Sequence, residues 1–237
     1  MYDVNKRFRH ELKYLISPGE KALICERLRE LLITDEHALN GQYKIRSLYF
    51  DDFWDSAYEE KIMGVYNRKK YRIRLYNDSP NFISLEKKLK RGNYIRKTSA
   101  RITENQTSDI LNGNYSFLLE SENNLLKEFY YQLVSCYLRP RVIVDYEREP
   151  YVMAAGDVRI TFDSNVRAAV LSHDLFDPEL PAINALEENK IIMEVKFTEF
   201  IPRLLKSVLP PRSSELAAVS KYIICCDKTS YLNASSL

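Results

Sequence analysis

The chain has 237 residues, 45% of them apolar and 29% charged, with 17 tyrosines, one tryptophan and six glycines; this composition builds a globular core and excludes a disordered chain. Glycine is scarce and neither G-x-x-x-x-G-K-[ST] nor G-x-G-x-x-G occurs, so the two commonest phosphate loops are excluded and phosphate chemistry would fall to side-chain cations. The net charge is only +2, and no leader-like or membrane-spanning apolar run is present, which predicts a cytoplasmic protein without direct membrane insertion.

Residues 8–16 (FRHELKYLI) alternate, with Arg9, Glu11 and Lys13 on one face and Phe8, His10, Leu12 and Tyr14 on the other, which predicts a strand. Ser17-Pro18-Gly19-Glu20 reads as a helix start: Ser17 at the N-cap, Pro18 at the first helical position and Glu20 completing a capping box. Residues 22–32 continue at helical spacing, and Asp35-Glu36-His37 and Asn40-Gly41 are loop signals. Residues 43–50 (YKIRSLYF) form a second strand, after which Asp55 is placed to cap a short helix ending at Gly64.

Residues 68–101 dominate the charge distribution. They carry twelve Lys and Arg against only Asp78 and Glu86, and read as strand, turn at Asn77-Asp78-Ser79-Pro80, strand and return strand (95–102). Alternation places Arg72 and Arg74 on one face, with Tyr71, Ile73 and Leu75 on the other; Glu86, Lys88 and Lys90 share a face of the partner strand. A repeatedly cationic face needs either bulk water or a polyanion.

Helices are expected over 108–111 and 123–138, the second stopped by Pro140. Strands follow over 141–151, with Asp145 and Glu147 opposite Tyr146 and Arg148, over 158–163, with Arg159, Thr161 and Asp163 on one face, and over 191–197, with Glu194 and Lys196 on one face. Helices are expected over 199–209 and 213–226, the latter carrying Lys221 near its C-terminal end. Cys25, Cys136, Cys225 and Cys226 lack C-x-x-C spacing and make no zinc pattern with His10, His37 or His173, so reduced thiols buried in helices are expected.

At least seven strands carry a charged face, and charged faces cannot pack against one another as a core. An α+β fold resolves the conflict: a closed antiparallel β-barrel, a tunnel around a charged lumen, with helices packed outside on the apolar faces. No repeat or linker divides the chain, so a single domain over residues 1–237 is expected. Arg and Lys hold phosphate oxygens, and interspersed carboxylates suit Mn²⁺ or Mg²⁺ bridging them. Nucleic acid is the rival polyanion, with Tyr43, Tyr49, Tyr66, Tyr71, Tyr76 and Tyr94 as stacking candidates; most fall opposite the cations, so no nucleic-acid partner is expected.

The motifs R-x-E-x-K-Y at 9–14, R-I-R at 72–74, L-E-K-K at 85–88, Y-E-R-x-P-Y at 146–151, V-R-I-T-F-D at 158–163, M-E-V-K-F at 193–197 and S-K-Y-I at 220–223 occur in order. Together they resemble the VTC domain, the polyphosphate polymerase domain within the triphosphate tunnel metalloenzymes, over residues 6–228. The resemblance implies a tunnel that binds ATP and inorganic polyphosphate and transfers the γ-phosphate to the polymer with a divalent metal. It implies phosphate-binding roles for Lys13, Arg72, Arg74, Lys88, Arg148, Arg159 and Lys221, with either Lys97 or Arg101 filling a further basic position. Lys221, Arg72, Arg74 and Lys88 are the candidates for stabilising the transferring phosphate, and Glu194, with Glu11 or Glu86, for holding the metal.

Related triphosphatases begin E-x-E-x-K; here Arg9 holds the first position, which argues against efficient hydrolysis. A tunnel-type triphosphate or nucleoside triphosphate hydrolase and a non-catalytic polyphosphate-binding module are the alternatives. The phosphate-sensing and membrane domains of the eukaryotic complex are not expected, leaving a simpler soluble enzyme or a component that works with a separate membrane protein.

Overall fold

The computed structural model describes residues 10–35, 38, 41–92, 94–198, 200–210 and 219–234. Arg9, Glu36, His37, Asn40, Glu199 and residues 213–218 of the expected last helix lie outside the described residues.

β1 (His10–Ile16) leads into α1 (Pro18–Arg27) through the expected capping box: the Ser17 hydroxyl accepts from the Glu20 N–H, and the Glu20 carboxylate accepts from the Ser17 N–H. A two-residue β2 (Ile33–Thr34) precedes β3 (Tyr43–Asp51) and α2 (Ser56–Ile62). Asp55 does not cap α2 with its side chain. It has φ of 51°, and its carboxylate accepts two bonds from Arg141, at 2.6 and 3.0 Å. Asp51, at the end of β3, takes the helix amides instead, accepting from the Ala57 and Tyr58 N–H groups at 2.8 and 3.0 Å.

The basic segment forms β4 (Asn67–Tyr76), β5 (Ser79–Arg91) and β6 (Tyr94–Ile102). Three helices follow: α3 (Glu104–Leu111), the unanticipated α4 (Ser116–Glu120) and α5 (Asn124–Ser135). α5 ends before Pro140 because Tyr137 takes a left-handed conformation, φ 53°; Pro140 then lies inside β7 (Arg139–Met153). β8 (Val158–Ala169) runs past the expected end at Asp163. Asn165, with φ of 50°, sits where the β7–β8 register slips, and the strand's inward set changes from Asp163 to Val166 and Ala168. β9 (Ala182–Asn184), β10 (Ile191–Phe197), α6 (Arg203–Val208) and α7 (Lys221–Ala234) complete the chain.

The strands form one antiparallel sheet in the order β1-β10-β8-β7-β3-β4-β5-β6, with β2 paired to β7 and β9 to β8. Contrary to the expected closed barrel, β1 and β6 end this path and do not pair with each other. The sheet nevertheless curls until its ends meet through side chains: Lys88 on β5 bonds Glu11 on β1 at 3.2 Å, and the His10 and Tyr94 rings lie 6.4 Å apart. Alternation specifies which face is polar, but ladder closure also requires matched tilt and shear, which alternation leaves open.

Most outward apolar residues are covered by helices. Leu48, Phe50, Tyr71, Ile73 and Leu85 pack against Ile110, Leu118 and Phe129, and Tyr14, Ile160, Phe162 and Met193 against Ile24, Leu28 and Leu205. α7 is different. Tyr49 and Ser47 pair with Arg72 and Arg74, and Ser47 with Val144, so Ile45, Val144 and Ala168 share the concave face. α7 packs on that apolar part with Tyr222, Ile223, Cys225 and Cys226. One helix therefore lies inside the curl, not outside it. All four cysteines are free; Cys225 and Cys226 are buried, but Cys136 is exposed, against expectation.

Candidate functional site

Two-residue alternation brings the inward side chains of β1, β4, β5, β7 and β10 around a cavity of about 370 Å³. Among the described residues, Lys and Arg supply half of its lining, and Glu11 and Glu194 are its only carboxylates. Lys13, Arg72, Arg74, Lys88, Arg148 and Lys221 all line it.

Glu194 sits at the centre of the buried network. Its carboxylate accepts from Lys13 at 2.9 Å, Lys196 at 2.8 Å and Lys221 at 3.2 Å, with Arg148 at 3.8 Å. Burial would raise its pKa, but Lys13, Lys196, Lys221 and Arg148 outweigh that and hold it well below the usual carboxylate range. Asp163 lies behind the cavity wall, fully buried, accepting two bonds from Arg148 at 2.6 and 2.7 Å and lying 2.5 Å from Lys221. Burial again acts upward on Asp163, and Arg148 and Lys221 override it. Burial acts downward on Lys13, but Glu194 and Glu11 keep it charged, above the ordinary lysine value.

A second network lies on β4 and β5. Arg72 donates to Glu86 at 2.6 and 2.8 Å and to the Tyr49 hydroxyl at 2.7 Å. Arg74 donates to Ser47 at 2.9 Å and to the Tyr146 hydroxyl at 3.1 Å. Burial lowers Lys88 to about 8, although Glu11 opposes the shift.

Three anticipated phosphate ligands lie outside the cavity lining. Lys97 donates to Glu86 at 3.0 Å with half its side chain exposed. Arg101 bonds the Asn81 carbonyl at 2.6 Å and lies over the Phe82 ring. Arg159 shares the concave face but is held by the Tyr43 hydroxyl and Asp35, both at 2.9 Å. Lys97 and Arg101 are on one inward face of β6, opposite Lys88 and Ser84, so the choice between them is one of depth along the strand.

Lys221 was expected near the end of a helix, where the dipole favours a cation. It is instead the first residue of α7, at the end that disfavours positive charge, and Asp163 and Glu194 supply the compensation. The tyrosines also divide differently from expectation. Tyr49 and Tyr43 bond cations of the concave face, while Tyr71 packs outward against Phe129. Lys61, Arg68, Lys70, Lys90, Lys196 and Tyr146 line the cavity as well. Arg68, Lys70 and Lys90 were available to sequence reasoning, at the same two-residue spacing from Arg72 and Lys88. Asp163 shares a face with Arg159 and Thr161, but nothing in its spacing marks it as the partner of Arg148 and Lys221.

The three anticipated metal carboxylates are not gathered. Among the described residues no group of three His, Cys, Asp or Glu is arranged to hold a metal. Glu86 is engaged by Arg72 and Lys97, whereas Glu11 and Glu194 share Lys196, at 3.5 and 2.8 Å. One Glu11 oxygen is buried without a hydrogen-bond partner. Two neighbouring carboxylates, one with an oxygen that makes no hydrogen bond and lies 3.5 Å from the Lys196 ammonium, carry the kind of oxygen donor a divalent ion takes.

An open, curled antiparallel sheet with helices and a cation-lined cavity defines an α+β protein. The family model for the VTC domain matches residues 8–230, and the chain belongs to that family. No curated protein matches the chain. Among solved structures, the PH1819 protein of Pyrococcus horikoshii OT3 is similar at 14% identity and a TM-score of 0.48, covering 93% of this chain and 99% of its own. The PH1012 protein of the same organism is similar at 11% identity and a TM-score of 0.49, covering 91% of this chain and 98% of its own.

Proposed function

We propose that this chain binds ATP and inorganic polyphosphate in the cavity and transfers the γ-phosphate of ATP to the polymer. The observation that carries this reading is the cavity lining, which among the described residues is half Lys and Arg with only Glu11 and Glu194 as carboxylates. A phosphate chain carries closely spaced negative charge with oxygens on every side, and cations from five strands, α2 and α7 converge on that shape. Phosphoryl transfer needs little covalent chemistry from the protein; it needs alignment of donor and acceptor and neutralisation of the oxygens that gain charge.

Lys221 and Arg148 are fixed by Asp163, and Arg72 by Glu86, so these cations are oriented before a ligand arrives. Arg74, braced by Ser47 and Tyr146, is held in the same way. Glu11 and Glu194 would hold Mn²⁺ or Mg²⁺, which when bound would neutralise phosphate charge and help align the reacting groups. With carboxylates this few, and most of their oxygens on cations, the lining offers little to activate a water, which favours transfer to phosphate over hydrolysis.

The test is purified protein with ATP and Mn²⁺, following polyphosphate and free phosphate together. Polymer formation that falls on the order of a hundredfold in Lys221→Ala is expected. Free phosphate without polymer would assign a tunnel-type hydrolase, and tight polyphosphate binding without either product a binding module. A wild-type protein that neither binds polyphosphate nor turns over ATP would overturn the polyanion reading itself.

A further inference from the structure

Lys70 is the cavity cation with the least support. It lies two residues before Arg72 on β4 and lines the same cavity, yet its ammonium nitrogen is buried with no hydrogen-bond partner among the described residues. It lies over the face of the Tyr222 ring, 4.1 Å from the ring centre. Every deeper cation described above has a carboxylate, hydroxyl or carbonyl to donate to; Lys70 does not. A buried amine without an acceptor costs free energy, and its persistence beside a cavity points to an acceptor that arrives with a ligand.

The groups around it point the same way. Lys61 of α2 and Lys88 of β5 repel its charge; Asp51 of β3 favours it; Tyr222 and the Cys226 thiol face it from α7. Burial and these cations leave Lys70 with a pKa of about 7. Lys61 and Lys90, also on the lining, are lowered by burial and then by Arg68. This side of the cavity is therefore short of anions, in contrast to the Glu194 side.

We propose that Lys70 is a phosphate-binding residue whose missing hydrogen-bond acceptor is an oxygen of the bound oligophosphate, and that it takes up a proton as that oxygen arrives. This rests on the reading of the cavity as an oligophosphate site. The bound anion stabilises the ammonium form, so binding above neutral pH draws a proton from solution, and binding at pH 6, where the amine is already charged, does not.

The test is isothermal titration calorimetry with tripolyphosphate and no metal, at pH 6, 7 and 8, each in two buffers of different ionisation enthalpy. Wild type is expected to show proton uptake that grows from pH 6 to pH 8. Lys70→Met should lose that increment and bind about tenfold more weakly or worse. Lys70→Arg should recover most of the affinity without the increment. The ligand's own protons contribute equally to all three, and Lys88, which feels the Lys70 charge, keeps a cationic neighbour in Lys70→Arg, so the comparison of wild type with Lys70→Arg isolates the proton taken up by Lys70.

Affinity within about twofold of wild type and unchanged proton uptake in Lys70→Met would overturn the proposal while leaving the cavity reading intact. Failure of wild type to bind tripolyphosphate would overturn both. Lys70→Met removes an unpartnered buried amine, so its melting temperature should equal or exceed that of wild type. If it does not fold, Lys70→Arg decides: lost proton uptake with retained binding supports the proposal, and unchanged uptake overturns it.

Discussion

Lys221 shows how a residue at an unfavourable position can be held. It places positive charge at the amino end of α7, where the helix dipole opposes it, and Asp163 and Glu194 at 2.5 and 3.2 Å reverse the balance. Removing the Asp163 charge should leave Arg148 and Lys221 undercompensated, so Asp163→Asn is expected to destabilise the fold by about 3 kcal/mol at neutral pH. The pH dependence has a definite sign. Asp163 is held below its ordinary value of 3.8, so its contribution is present above that value and is lost as pH falls through its lower folded pKa. The melting-temperature gap between wild type and Asp163→Asn should thus stay constant from neutral pH to about pH 4 and narrow only below it. A gap that closes already near pH 6 would show that Asp163 is not the group responsible.

Among elements, α2 and α7 are tied to the sheet through one carboxylate. Asp51 accepts from the Ala57 and Tyr58 amides of α2 and from the Tyr222 hydroxyl of α7. Asp51→Ala removes these acceptors together and should cost about 2 kcal/mol in denaturant unfolding, well beyond an ordinary surface substitution. Strand identity was legible because one face of each strand is apolar and the other charged. The Ser17 cap was legible for a similar reason, since its partners lie within three residues. The position of α7 was not. Its apolar residues signal burial but not against which face, and residues 45, 144 and 168, which receive it on the concave side, come from three separated strands. The β7 segment Val142-Ile143-Val144 carries apolar residues on both faces, a trace of this double burial.

For the whole molecule, a cavity whose cations act together makes affinity a collective electrostatic property. Binding of polyphosphate should weaken by about tenfold or more between roughly 50 and 200 mM salt, measured by fluorescence anisotropy or calorimetry. A flat salt response would mean that few of the lining cations touch the ligand. The sheet remains open between β1 and β6, bridged by Lys88 with Glu11 and by the His10 and Tyr94 rings, so the cavity is bounded there by side chains and not by a backbone ladder.

The amino-acid sequence by itself determined the longer strands, though not β2, β9 or the extension of β8, together with their charged faces and the concentration of cations in residues 68–101, because alternation and local charge act over a few neighbouring residues. Tertiary structure decided which cations acquire partners. Arg148 and Lys221 meet Asp163, Lys13 meets Glu194, Glu86 is claimed by Arg72, and Lys70 is left over Tyr222 without an acceptor among the described residues. These pairings depend on curvature, bulges and the placement of α7, which bring together residues that lie far apart along the chain.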